Sequence, residues 1–374
     1  MKKVKKASID NFKSLELTNQ NDLKDMIKYN FFLVIIMVQF VANSQNYIKY
    51  NSIISSAIVN VLDSNYSDAI VKFDSAFVQF KPFPNDAYLA AQVSLLLENN
   101  LLTQKYLLIG AGVGLGITSI NYPMFSKFKL REDFTSFEQE FSKVSGKYNN
   151  SLNSKYREDC INLVIRDQEA NNTHSILNIL RPYAKFTDKK LNKELDKILI
   201  DLDSLINKNQ GILPFRSVIG VRSFEYDKTM PKNSEGTQYF LLATIFWHHP
   251  LIFQKWENEL YKALETGEIS ARTYALIRTF CGQHFDNNSM SNEMKNQMKY
   301  QDYKYYVRWP EYVEKGDEDA VNIERKKIGL YPISYEYKMK KAQLDFNLQY
   351  KLIMKKNKII ENNSYKINYN YFNL

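Results

Sequence analysis

Histidines and carboxylates in the second half of this chain are the residue types that could bind a transition metal. Neutral imidazole suits zinc or iron, and a carboxylate can complete the ligand set. However, adjacent residues of a helix point about 100° apart, and the chain has no HxH or HExxH spacing. The pattern therefore favours structural histidines, and we expect no cofactor and no bound metal. The candidates are His248, His249, His284 and Asp167, with Glu257 or Glu259.

The pair Asp167-Gln168 stands in a helix whose other positions are largely apolar. It could face a cleft and bind a ligand. It could equally be a solvated face, or a hydrogen-bonding partner for Arg166 or Arg216, and we favour this structural role. The chain contains no GxSxG elbow, P-loop or paired-carboxylate motif. A hydrolytic or metal-dependent enzyme with a site near His248 therefore stays the alternative to a binding protein.

The run Tyr106–Gly116 combines apolar residues with four glycines and invites a nucleotide-binding interpretation. The GxGxxG spacing fails, because neither Gly110 nor Gly112 has a glycine five positions later. No βαβ context follows either. We interpret the run as a helix that ends in a glycine-rich linker.

Charge and aromatic content speak against nucleic acid as a partner. The 374 residues carry a formal net charge of +9, and the charges are interspersed rather than clustered. Tyrosines are frequent between Tyr303 and Tyr337. We expect these tyrosines to pack between helices rather than to bind nucleic acid, since tyrosine buries a large face and keeps its hydroxyl in water.

The elements that must position these residues follow a segment with the features of a secretory signal peptide. Lys28 supplies a basic start, Phe31 to Val41 form an apolar run, and Ala42-Asn43-Ser44 precedes a cut before Gln45. This apolar run is too short to cross a bilayer, which requires roughly 20 apolar residues in a helix. We therefore expect residues 26–44 to be removed and the protein to be exported, to the periplasm or beyond the cell.

Twenty-five residues, most of them polar, precede Met26, which is unusual for a signal peptide. The simplest explanation is that Met26 is the true start. The alternative is a retained anchor with a lysine-rich cytoplasmic arm at residues 1–25, which would make the protein a membrane-tethered scaffold. Outside the cytosol, Cys160 and Cys281 could form one disulfide or remain two separate thiols.

Hydrophobic periodicity predicts two helix pairs between residues 45 and 120. Asp63-Ser64-Asn65 separates the first two helices, and the second ends near Pro82. Asn85-Asp86 is expected to cap the third helix, and Asn99-Asn100 to turn the chain into the fourth.

Within these pairs, Ala76 and Ala111 lie 35 residues apart, close to a 34-residue repeat period. Asn65 to Ala69, with Phe73, Ala76 and Pro82, resembles the second helix of a tetratricopeptide repeat, although the first helix lacks the Trp and Gly positions of that family. A generic antiparallel bundle is the alternative. The resemblance implies that a protein or peptide partner binds the concave face of the repeats. The expected repeat-face residues are Tyr66, Phe73, Tyr88 and Tyr106.

After a linker at 121–155, residues 156–345 are predicted to form a compact helical domain, followed by a flexible tail at 346–374. Gly211 and Gly267 are expected to end two of its helices, and Ser270 to begin a third.

Five motifs in this half are similar, in order, to those of a bacterial domain family of exported proteins that carries no established activity. The family's Asp-Arg and Pro-Gln-x-Tyr-Gly-Thr-Gln segments are absent, as is the acidic residue after its His, so a family site would be eroded here. The matching stretches are Asp167-Gln168, Leu213 to Gly220, Trp247 to Gln254, Gly267 to Ser270 and Arg325 to Leu330.

The sequence thus predicts an all-α protein, with a short tetratricopeptide-like helix-pair array followed by a compact helical domain. Its expected role is an exported platform for a protein or peptide partner. Membrane association is expected only if residues 26–44 are retained.

Overall fold

The computed structural model describes residues 46–178, 184–221, 242–248, 250–286, 318–339 and 341–342. Among these residues the secondary structure is helical and contains no strand, so the predicted all-α class is confirmed. The chain divides into the units Met1–Asn46 and Tyr47–Leu374. All contacts reported below lie within the second unit. The predicted signal segment 26–44 and the arm before it lie outside the described residues.

Four consecutive helices open the described chain, as the hydrophobic periodicity predicts. The turn after the first helix uses Ser64 with a positive φ of 63°. Asn99 caps the fourth helix, because its Oδ1 accepts from the Leu102 amide at 3.0 Å. The helices are α1 Asn46–Leu62, α2 Tyr66–Gln79, α3 Pro84–Leu96 and α4 Asn100–Ala111.

The first hydrophobic core forms around α3, whose residues are buried on nearly every side. Helix α3 packs between α2 and α4. Its Tyr88 ring stacks on Phe125 at 5.7 Å between centroids, and the Tyr88 hydroxyl donates to the Ser119 carbonyl. A helix that is buried all round is stabilised by its neighbours rather than by an amphipathic pattern of its own.

The segment expected as a linker at 121–155 contributes to this core. Two 3₁₀ turns, Ile117–Asn121 and Pro123–Phe125, lead into α5 (Ser126–Lys129) and α6 (Phe134–Asn150). Phe137 and Phe141 of α6 are buried in the first core, and α6 packs against α4. The glycine-rich run ends α4 at Ala111 and includes no strand, which agrees with its interpretation as a helix end.

Six of the helices that the structure describes contribute to the second hydrophobic core. Helices α7 and α8 pack together, and α10 contacts α7, α11 and α12. Gly211 and Gly267 adopt positive φ angles of 75° and 74° at the predicted helix ends. The helices are α7 Ser154–Asn178, α8 Ala184–Lys208, α9 Arg216–Ile219, α10 Ala243–His248, α11 Pro250–Glu265 and α12 Ala271–Asp286.

Residues 318–339, which we name the C-terminal clip, join the two cores. The clip consists of α13 (Glu318–Lys327), a turn, and a second helix α14 at 333–339. Ile328 is buried in the second core, whereas Tyr331 and Met339 are buried in the first. The predicted tail at 346–374 lies outside the described residues.

Cys160 is buried and unpaired. Burial, with a smaller contribution from the Asp159 charge, raises the pKa of its thiol to about 12. No helix in the described part of the chain is long and apolar enough to cross a membrane.

Candidate functional site

A partly open pocket of ≈ 80 Å³ lies where α1, the start of α3, α9 and the start of α12 meet. The turn of the C-terminal clip forms part of its wall. The lining is mixed and contains aliphatic side chains together with amide, hydroxyl and charged groups. Its polar and charged lining residues are Asn51, Ser55, Asn85, Asp86, Arg216, Glu268, Ser270, Arg272 and Thr273.

Two glycines allow the elements around the pocket to approach closely. Gly329 has a φ of 80°, and a Cβ there would lie 2.6 Å from the Ile48 carbonyl of α1. The Gly329 carbonyl accepts a hydrogen bond of 2.6 Å from the Ser55 hydroxyl. At Gly267, a Cβ would lie 2.3 Å from the Tyr47 ring. Any larger residue at either position would push the second half of the chain away from α1.

The carboxyl group of Asp86 is buried at the base of α3, with 8% of the residue exposed. The Tyr50 hydroxyl donates to its Oδ2 at 2.7 Å. Burial raises the pKa of Asp86 to about 6, although the Tyr50 hydrogen bond and the Arg216 charge oppose the shift. Asp86 is not the N-cap that the sequence suggested, because α3 begins at Pro84 and Phe83 occupies the cap position.

Arg216 of α9 forms hydrogen bonds that connect the second half of the chain to the turn between α2 and α3. Its guanidinium donates to the carbonyls of Pro82 and Lys81 at 3.1 Å and 3.2 Å. It also lies over the Phe83 ring, 4.0 Å from the centroid. The neighbouring Glu268 accepts from the Ser217 amide at 2.9 Å.

An ion triad lies beside the pocket, formed by the buried Arg325 and Glu336 and the partly buried Arg272. Arg272 and Arg325 each donate to a different oxygen of Glu336, at 2.9 Å and 3.0 Å. Arg325 is fully buried and also donates to the Tyr331 carbonyl. Burial alone would raise the pKa of Glu336, but the two guanidinium groups outweigh it and hold the pKa below its ordinary value. The triad therefore ties α12 to the C-terminal clip.

Asn51 lines the pocket with a side-chain donor that the described part of the fold does not satisfy. The residue is 7% exposed, and its buried Nδ2 has no hydrogen-bond partner. No described residue bonds to the other end of the amide. A buried amide without a partner costs about 1–3 kcal/mol, so this position calls for a ligand.

The first turn of α12 also presents donors to the pocket. Ser270 caps the helix, because its Oγ accepts from the Thr273 amide at 3.0 Å. The two hydroxyls are 2.9 Å apart, so whichever one donates, the other keeps its own hydrogen. The amide of Ala271, the first residue of α12, donates to no described acceptor.

Of the sequence-predicted catalytic candidates, the described Asp167 does not line this pocket. Asp167 is fully buried in α7, where its Oδ2 accepts from Gln168 at 3.0 Å. Arg166 instead bonds Glu194 and Asp201 of α8. The side chains of His248, His249 and His284 lie outside the described part of the structure. Among the described residues, no group of three or more His, Cys, Asp or Glu could hold a metal.

The expected repeat-face residues pack inward. Phe73, Tyr88 and Tyr106 are fully buried in the first core, and Tyr66 is partly buried against it. Phe77, from the same helix as Phe73, meets the Tyr106 ring edge-on at 5.7 Å. These rings hold the helices together, and we do not assign them to contact with a partner.

Sequence reasoning missed Asn51, although a signal was present. Asn51 interrupts the apolar stripe of α1, which continues through Ile54 and Ile58 at helical spacing. Arg216 entered only as a possible partner of Asp167, and the pairing of Arg272 with Glu336 joins residues 64 positions apart.

Comparisons with known proteins add no identity: no family model, no curated protein and no solved structure matches this chain.

Proposed function

We propose that this chain is an exported helical platform for a protein or peptide partner, and that the pocket beside α1 receives part of that partner. The export is inferred from the segment at residues 26–44. The tetratricopeptide-like pattern of the first four helices supports the platform, because stacked helix pairs offer an extended surface for peptides.

The observation that carries the proposal is the unsatisfied amide of Asn51. A side-chain amide offers one donor and one acceptor side by side, which matches the N–H and C=O of a peptide group. The amide is buried beside aliphatic walls formed by residues such as Ile54 and Ile58. A partner segment could therefore place an apolar side chain against these walls and pair its main chain with Asn51.

A direct test selects binding peptides from a displayed random library, with the purified full chain as bait. Selected peptides are synthesised and their Kd values measured on three proteins: wild type, Asn51→Leu and Asn60→Leu. Asn60 is a half-buried asparagine of the same helix that does not line the pocket, so it provides the matched control.

We expect Asn51→Leu to weaken peptide binding about tenfold or more, because the hydrogen bonds to the partner's main chain are lost. The same change should raise the Tm, since an unsatisfied buried amide is replaced by an apolar side chain of similar size. Asn60→Leu should leave the Kd unchanged. Equal affinity of wild type and Asn51→Leu, or a library that yields no binder, would overturn the proposal.

A further inference from the structure

At the start of α12, the pocket is lined by hydrogen-bond donors that have no acceptor among the described residues. The free amide of Ala271 and the spare hydroxyl hydrogen of the Ser270–Thr273 pair both belong to this turn. Helix α12 has 16 residues, and the N-terminus of a helix of this length carries a partial positive charge that favours anions. The unpartnered, buried amide of Asn51 lines the same pocket.

The carboxylates around the pocket each accept at least one hydrogen bond from the fold. Asp86 accepts from Tyr50, and Glu268 accepts from the Ser217 amide. Glu336, behind the pocket wall, is held by two guanidinium groups. An incoming carboxylate would therefore find donors at the Ala271 amide, at the Ser270–Thr273 hydroxyl pair and at the Asn51 Nδ2, and such an acceptor-rich group suits these donors.

The rest of the lining calls for an aliphatic side chain. Ile54 and Ile58 of α1 face the pocket together with Ile269 and Leu330. The volume of ≈ 80 Å³ suits one branched side chain rather than a large ring system. Burial of such a side chain supplies the apolar part of the binding free energy.

We propose that the partner segment carries an aliphatic residue next to an acidic one, with the aliphatic side chain between the isoleucines and the carboxylate at the start of α12. This inference rests on the proposed platform function and names the peptide chemistry of its pocket. The formal net charge of the whole chain is +9, and residues 1–44 hold seven of its lysines and four of its acidic residues. The predicted exported chain therefore keeps a smaller positive charge, which adds a weak, general attraction for an acidic partner.

Four capped hexapeptides test the assignment on the purified full chain. They are acetyl-Ser-Gly-Leu-Glu-Gly-Ser-amide and its variants with Gln for Glu, Lys for Glu, or Ala for Leu. The caps remove both terminal charges, so the side chain is the only carboxylate. We expect the Leu-Glu peptide to bind about tenfold tighter than the Leu-Gln peptide. The Leu-Lys and Ala-Glu peptides should bind more weakly still.

The variant Ala271→Pro removes the free amide and is suited to the first position of a helix. We expect it to cut the preference for Leu-Glu over Leu-Gln from about tenfold to less than about twofold. Asn60→Leu should keep the full preference. If Ala271→Pro fails to fold, the salt dependence of the wild-type preference replaces it, because attraction of a carboxylate must weaken at high salt.

The outcomes separate this inference from the platform function. If the Leu-Glu and Leu-Gln peptides bind equally and both lose affinity in Asn51→Leu, the platform stands and the acidic preference is refuted. If the preference survives both Ala271→Pro and high salt, the carboxylate does not lie at α12. If none of the four peptides binds while library peptides do, the assigned chemistry is wrong.

Discussion

At the scale of single residues, the site is a set of polar groups that folding has buried at different energetic cost. Asp86 accepts a hydrogen bond from Tyr50, yet burial still disfavours its charged form, as the rise of its pKa to about 6 indicates. The buried side-chain Nδ2 of Asn51 has no hydrogen-bond partner. Groups that reduce stability without serving the fold are expected where a protein binds something.

The shift at Asp86 predicts a definite dependence of stability on pH. Its pKa is higher in the folded chain than the ordinary value of 3.8. Protonated Asp86 therefore makes its full contribution to the free energy of unfolding below pH 3.8. This contribution is lost as the pH rises through about 6. Asp86→Asn should match wild type near pH 4 and be more stable by up to about 3 kcal/mol near pH 7.5.

Denaturant unfolding of both proteins across that pH range measures the difference. In Tyr50→Phe the transition should move to higher pH, because the hydrogen bond that lowers the pKa of Asp86 is gone. A difference between Asp86→Asn and wild type that stays constant from pH 4 to pH 8 would refute this account.

At the scale of elements, the C-terminal clip has the most consequences for the fold. The clip packs against α1 at Gly329, whose carbonyl accepts from the Ser55 hydroxyl of α1. Its Leu330 and Tyr331 line the pocket. At its far end, the Tyr335 hydroxyl and Lys338 both bond Asp63 at the end of α1. Part of the helix-pair surface is therefore occupied by the chain itself.

Glu336→Gln should test how strongly the clip is held. The buried guanidinium of Arg325 and the partly buried one of Arg272 would lose their common counter-ion, and breaking a buried ion pair in this way costs about 3–5 kcal/mol. Glu324→Gln is the control, since Glu324 pairs with Lys327 of its own helix, whose side chain is 60% exposed, and should cost well under about 1 kcal/mol. Thermal unfolding of the two variants measures the contrast, and equal Tm losses would show that the triad does not hold the clip.

At the scale of the whole molecule, the two cores share one pocket and one clip. The first core extends through α6 to Phe141, and the second begins at Tyr156. The residues that line the pocket come from both halves of the chain. A ligand bound there would therefore contact both halves. Binding should therefore also raise the Tm of the folded chain by mass action.

Export is the prediction that concerns the chain as a whole. When the gene is expressed in a bacterial host with a Sec pathway, we expect the extracytoplasmic product to begin at Gln45, because Ala42 and Ser44 occupy the −3 and −1 positions of the cut. Intact-mass measurement of that product decides it. A product that keeps residues 26–44 and stays with the membrane would favour the tethered scaffold, and a full-length cytosolic product would refute both.

The amino-acid sequence by itself determined the all-α class, the four opening helices and several helix ends. These features depend on local periodicity and on residues such as Asn99, Gly211 and Gly267, whose preferences act within one turn. Tertiary structure alone decided that Arg272 meets Glu336, that Asn51 is left without a partner, and that Tyr88 and Tyr106 face inward. Those outcomes depend on which distant surfaces pack together, and a helical pattern shows which face is apolar without showing what will cover it.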